Sequence, residues 1–194
     1  MVDAPGNPPP PTMPVRSRAF TLVELLVVAV VLAIFAGIVV PQFTGSTQEA
    51  RESALKSTLA SVRKGIDLYY QQHGRYPANG NTDGSSAGCT GATTSVTTQE
   101  QGFIVQMMTF SNKDGRICTT RSDNLFPFGP YISGSTMPVN PVNGLSSITV
   151  ISGTNLIIVG DGPASAGWKY NSQLGLIIPN DTNVDSSGTR YDRY

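Results

Sequence analysis

The sequence predicts an α+β fold in which one long N-terminal helix, kinked once, packs its second half on a small antiparallel β-sheet. Three observations predict it. Residues 20–40 are an almost unbroken apolar run, residues 46–73 place apolar side chains at helical spacing, and the last third holds short β-branched and aromatic runs divided by turn residues. Laying the sheet over the apolar stripe of the helix is the economical assembly of these parts.

Composition limits what the chain can be. Thirteen basic residues balance thirteen acidic ones, so no net charge points to nucleic acid or to another charged partner. Twenty glycines and fourteen prolines in 194 residues, with long Ser/Thr/Asn stretches, fit an exported, loop-rich protein. Cys89 and Cys118, an even count in such a chain, fit one disulfide that closes a loop of about 30 residues. Two free buried thiols are the alternative, and no CxxC spacing or histidine cluster accompanies the pair to suggest a metal.

Residues 1–19, MVDAPGNPPPPTMPVRSRA, carry six prolines and two arginines and read as a leader rather than a folded element; Met13 is a second candidate start. A cut after Ala19 precedes the apolar stretch instead of following it, so that stretch survives processing. From Phe20 to Val40 a helix spans roughly 30 Å at about 1.5 Å per residue, enough for one membrane crossing. Arg16 and Arg18 precede it and the next positive charge is Arg51, which places the N-terminus in the cytoplasm and the remainder outside. Glu24 is the single charge within this run, and an acid in a membrane segment usually has a job. Ala29, Ala33 and Gly37 recur every four residues, a strip that lets another helix approach closely, although small residues are also common in membrane helices generally.

The helix is expected to continue to His73. Leu55, Leu59, Val62, Ile66 and Tyr69 alternate spacings of four and three and share one face, while Glu52 and Lys56 read as a surface pair. Pro41 removes a backbone donor, so a kink is expected there with Gly45 adding to it, and Gly74 is the expected C-terminal cap. His73, the only histidine, suggests complementarity to the helix dipole. A second helix is expected near Thr98 to Phe110, with Phe103, Met107 and Phe110 on one side. SSITVIS, NLIIVG, GWKYN and LGLIIP read as strands, with Trp168 and Tyr170 on one core-facing side. The resulting divisions are 1–19 leader, 20–40 membrane helix, 41–74 amphipathic helix and 75–194 globular domain.

RAFTLVELLVVAVVLAIFAGIVVP resembles the leader junction and N-terminal helix of type IV pilins and type II secretion pseudopilins, and YYQQHGRYP resembles the end of the long helix in the secretion branch. In that family the residue before the cut is usually glycine; here it is Ala19. The resemblance implies a pilin-like fold and cleavage between Ala19 and Phe20 by the prepilin peptidase, which also methylates the new amine of Phe20. It implies insertion in the inner membrane with a periplasmic C-terminal domain. There an inner-membrane assembly platform builds copies of the chain, with other pseudopilins, into a filament in which Glu24 receives a neighbour's N-terminal amine. It implies a building block for protein export rather than an enzyme. A type IV pilin for adhesion, motility or DNA uptake is the alternative, and a membrane-anchored receptor or enzyme would need a site the sequence does not offer. Some pseudopilins bind calcium in a C-terminal loop; Asp161, Asp181 and Asp185 lie in such regions here, without a family motif to anchor them, and read better as loop carboxylates.

Overall fold

A computed structural model describes residues 20–79, 88–91, 96–163 and 165–194; within its first helix the side chains of residues 38–46 are not described. The expected leader, residues 1–19, therefore lies outside the described residues. The chain divides into two compact units, with the boundary between Thr44 and Gly45.

Helix α1 runs from Leu22 to His73, 52 residues, and contributes to both units. Gly74 ends it with φ +67 and its amide on the Tyr70 carbonyl, the left-handed exit that glycine makes without a Cβ penalty. The kink expected at Pro41 and Gly45 falls on residues whose side chains are not described. Within the second unit the helix buries the expected stripe: Leu55, Leu59, Val62, Ile66 and Tyr69 are each at most 2% exposed.

Helix α2, Gln99–Met108, begins at Thr98, whose hydroxyl accepts from the Gln101 amide at 3.3 Å. Phe103 and Met107 are buried, but Phe110 lies beyond the helix, in strand β1 (Phe110–Ser111). β1 pairs antiparallel with β2 (Ile117–Cys118) through a turn in which Asn112 Oδ1 accepts from the amides of Asp114 and Arg116.

The main sheet has three strands in sequence order: β3 (Ile148–Ile151), β4 (Trp168–Asn171) and β5 (Leu176–Pro179). β4 and β5 form the expected antiparallel hairpin, whereas β3 runs parallel to β4. Parallel neighbours need a crossover, and residues 152–167 supply it. This explains why NLIIVG is not a strand: it lies within that crossover, where Asn155 Oδ1 takes the Ile157 amide and Leu156 and Ile157 face outward.

Ile148, Val150, Trp168, Tyr170 and Ile177 join the helix stripe and Phe103 and Met107 in one core. Trp168 and Tyr170 do share a buried face. Their polar tips are satisfied by the Pro138 carbonyl at 2.7 Å and the Pro77 carbonyl at 3.3 Å. The two cysteines are bonded to each other, tying residues 88–91 to β2.

Candidate assembly site

The N-terminal unit presents its side chains outward. From Phe20 to Phe35 every large apolar residue is 44–80% exposed. So much contiguous apolar area needs lipid or other helices to cover it. Ala29, Ala33 and Gly37 lie on the same exposed helix, and a Cβ placed at Gly37 would meet nothing within 4 Å. Among the described residues alone, no helix is long and apolar enough to cross a membrane, and the expected span over 20–40 includes side chains outside that set.

Glu24 is held by its own helix start. Its Oε2 accepts from the Thr21 amide and the Thr21 hydroxyl, both at 2.9 Å, while the Glu24 amide donates back to Thr21 Oγ1 at 3.2 Å. This is a reciprocal capping box, T-x-x-E, which sequence reasoning overlooked although the spacing is plain in TLVE. The carboxylate therefore sits at the amide and hydroxyl of Thr21, the residue that follows Phe20.

In the globular unit the C-terminal segment is fastened to α1 by a second acid that sequence reasoning misplaced. Glu52 is 6% exposed, not a surface partner of Lys56. It stands three residues before Leu55 and so continues the buried stripe. Its two oxygens accept from the Ser186 amide and hydroxyl, each at 2.9 Å, and Tyr191 donates to it at 3.3 Å. Burial alone would raise its pKa; the Ser186 donors and their neighbours outweigh that and hold it below the ordinary carboxylate value. Lys56 instead lies over the Tyr194 ring, 4.6 Å from its centroid.

His73 also departs from expectation. It stacks on Tyr69 with ring centroids 3.9 Å apart, and its two nitrogens meet the Tyr69 carbonyl and the Ser111 hydroxyl. Burial pushes its pKa down, so the neutral ring is favoured and a cationic partner for the helix dipole is not.

The three carboxylates weighed for calcium have separate engagements. Asp161 pairs with Lys169 and Asn180. Asp185 accepts from Ser187, Thr189 and Tyr194. Asp181 accepts the Asn183 amide and keeps one buried oxygen without a partner. Among the described residues no three Asp, Glu, His or Cys side chains are grouped to hold a metal ion, so the set does not fit calcium as it stands.

Comparison with known proteins bears on the exposed helix. Residues 15–40 match the family described as the prokaryotic N-terminal methylation motif. The type II secretion system core protein G of Pectobacterium carotovorum is 36% identical over 63 residues, 32% of this chain and 40% of that protein. The Klebsiella pneumoniae protein of the same name is 37% identical over 62 residues, 32% of this chain and 44% of its own length. Over this N-terminal stretch the chain is similar to the type II secretion pseudopilins. A fimbrial protein of Neisseria meningitidis is 26% identical over 102 residues, 52% of this chain and 60% of that protein. The match thus spans about two fifths of the secretion relatives, and no solved structure matches this chain.

Proposed function

We propose that the chain is a structural subunit of a type II secretion pseudopilus, a periplasmic filament that drives protein export. One coincidence carries the reading: the methylation motif over residues 15–40 overlaps the N-terminal stretch of α1 whose large apolar side chains, from Phe20 to Phe35, are exposed. In this reading the prepilin peptidase cuts between Ala19 and Phe20 and methylates the Phe20 amine. Residues 20–40 hold the subunit in the inner membrane, N-terminus in the cytoplasm, until the assembly platform draws it into a filament with copies of itself and other pseudopilins. The chain is a building block and carries no catalytic role. The fimbrial relative favours a second reading, a surface pilin, over roughly half the chain.

Glu24 is the assembly acid. In the free subunit it caps its own helix; on assembly it exchanges the Thr21 donors for the Phe20 ammonium of a neighbour. Two opposite charges in a dry core compensate one another, and a wrong axial register leaves both stranded at a cost of several kcal/mol, so the pair selects register more than it adds stability. Ala29, Ala33 and Gly37 form the strip where a neighbouring helix packs closely, and Pro41 with Gly45 is where the helix kinks.

Two substitutions separate the cap from the charge. Glu24→Ala loses both, including about 1 kcal/mol of helix capping; Glu24→Gln keeps acceptor and shape but loses the charge. Both variants should be inserted and cleaved yet absent from sheared filaments. Normal assembly of Glu24→Gln would leave capping as the whole role of Glu24 and sink the pairing.

A further inference from the structure

An amine, a primary amide and a carboxylate meet on the face of the main sheet opposite the core. Trp168, Tyr170 and Ile177 point into the core, so Lys169 and its cross-strand partner Ile178 lie on the other face. Asn180 stands two residues beyond Ile178 and continues the ladder through its amide on the Gly167 carbonyl, so it shares that face as a diagonal neighbour within a lysine's reach. The end of the crossover covers the place: a Cβ on Gly160 would stand 3.1 Å from the Asp181 amide nitrogen. Asn180 is fully buried there, and the Lys169 side chain is 13% exposed.

One carboxylate holds both partners. Asp161 Oδ1 accepts from Lys169 Nζ at 2.5 Å, and its Oδ2 accepts from Asn180 Nδ2 at 3.3 Å. The amide is fixed in orientation, because Asn180 Oδ1 accepts from the Asp161 backbone amide at 2.6 Å while Nδ2 also donates to Ser165 Oγ at 2.8 Å. A primary amide ordinarily resists an amine. Here its carbonyl oxygen is polarised by a backbone N–H, and nucleophile and leaving group each touch a carboxylate able to take a proton from one and give it to the other. Well-oriented partners within one chain react as if at about 10⁵ M or more, which a slow, single-turnover reaction requires.

We propose that Lys169 and Asn180 condense into an intramolecular isopeptide bond, with Asp161 carrying the protons. The Lys169 ammonium gives a proton to Asp161 Oδ1, and the freed Nζ adds to Cγ of Asn180, whose oxygen takes up negative charge against the Asp161 N–H. Asp161 then delivers its proton to Nδ2 and the Cγ–Nδ2 bond breaks. The surplus proton on Nζ leaves with the ammonia as ammonium, so atoms and charge balance without another reactant. The product ties β4 to the residue after β5 at the open end of their hairpin, whose other end is closed by the turn at 172–175. Tension on the chain then cannot peel β5 from β4. The bond is independent of the filament reading.

The test is mass spectrometry of tryptic fragments from the full chain isolated from membranes. Between Arg121 and Arg190 the one tryptic site is Lys169, and an acylated lysine is not cut. Wild type should give residues 122–190 as a single fragment, lighter by one ammonia than its sequence requires. Lys169→Arg, which keeps the charge, and Asp161→Ala, which keeps the backbone N–H on Asn180 but removes the proton carrier, should each be cut at position 169 into two fragments of full mass. A wild-type chain cut after Lys169 into two full-mass fragments would overturn the proposal. Loss of one water in place of ammonia would put the bond on Asp161 and overturn the assignment to Asn180. Loss of ammonia that persists in Lys169→Arg would be an asparagine cyclised on itself, and would overturn it equally.

Discussion

Replacing both cysteines, as Cys89→Ala with Cys118→Ala, removes the bond that closes the segment around α2, β1 and the start of β2. The two residues are 29 apart in sequence. In the chain-entropy treatment, opening a loop of that length restores enough freedom to the unfolded chain to cost about 3.5 kcal/mol of stability. For a chain of this size each kcal/mol moves the midpoint by about 2–4 °C, so the loss corresponds to about 10 °C. The assay is thermal unfolding of the full chain in detergent, followed by far-ultraviolet circular dichroism, with oxidised wild type, wild type under reductant and the double variant side by side. Reduced wild type and the double variant should melt together, about 10 °C below the oxidised protein. Cys118 is only 1% exposed, so a packing loss confined to the variant would separate those two. A drop under about 3 °C in both samples would refute the loop-closure reasoning, because the unfolded chain would not be gaining the freedom the bond withholds.

Other perturbations read the core, one turn and one titrating group. Leu59→Ala, at a position 2% exposed, should cost about 2–5 kcal/mol in denaturant unfolding, whereas Leu68→Ala, 43% exposed on the same helix, should cost under about 1 kcal/mol. Gly175 has φ +70, and a Cβ there would run into the Tyr76 ring, so Gly175→Ala should cost more than the roughly 1–2 kcal/mol of Gly144→Ala, where φ is +74 but nothing stands near. His73 is held neutral by burial with its pKa below the ordinary value near 6.5. The unfolded chain therefore takes up the proton first as pH falls. Stability should be greatest above about pH 6.5 and decline as pH drops through the folded value, and His73→Phe, which keeps the stack on Tyr69, should flatten that slope in melts between pH 7.5 and 5.

The parts of the fold that depend on local periodicity were legible in the sequence. Leu55 to Tyr69 announce a helix face because five apolar residues at 3.6-residue spacing have one physical reading, and Trp168 with Tyr170 announce a strand face for the same reason. Glu52 was not legible: an acid that extends the stripe looks like surface, and it takes partners 134 and 139 residues away, Ser186 and Tyr191, beside the local Gln48 to make its burial tolerable. Strand direction was equally hidden, since whether β3 runs parallel to β4 depends on the path of the crossover and not on the strands themselves. NLIIVG has strand composition, but it is spent on that path, where Ile158 turns in while Leu156, Ile157 and Val159 stay outside. At the assembly site the charge in TLVELL was conspicuous and its capping partner was not. The bonds from Thr21 to the Glu24 carboxylate needed the structure to be seen.

The account stands or falls on what happens at Ala19–Phe20. An intact mass spectrum of the chain isolated from membranes tests it most directly. It should show a protein that starts at Phe20, carries one methyl group on its amine, and lacks two hydrogens for the Cys89–Cys118 bond. A mass that retains residues 1–19 with an unmethylated start would contradict it.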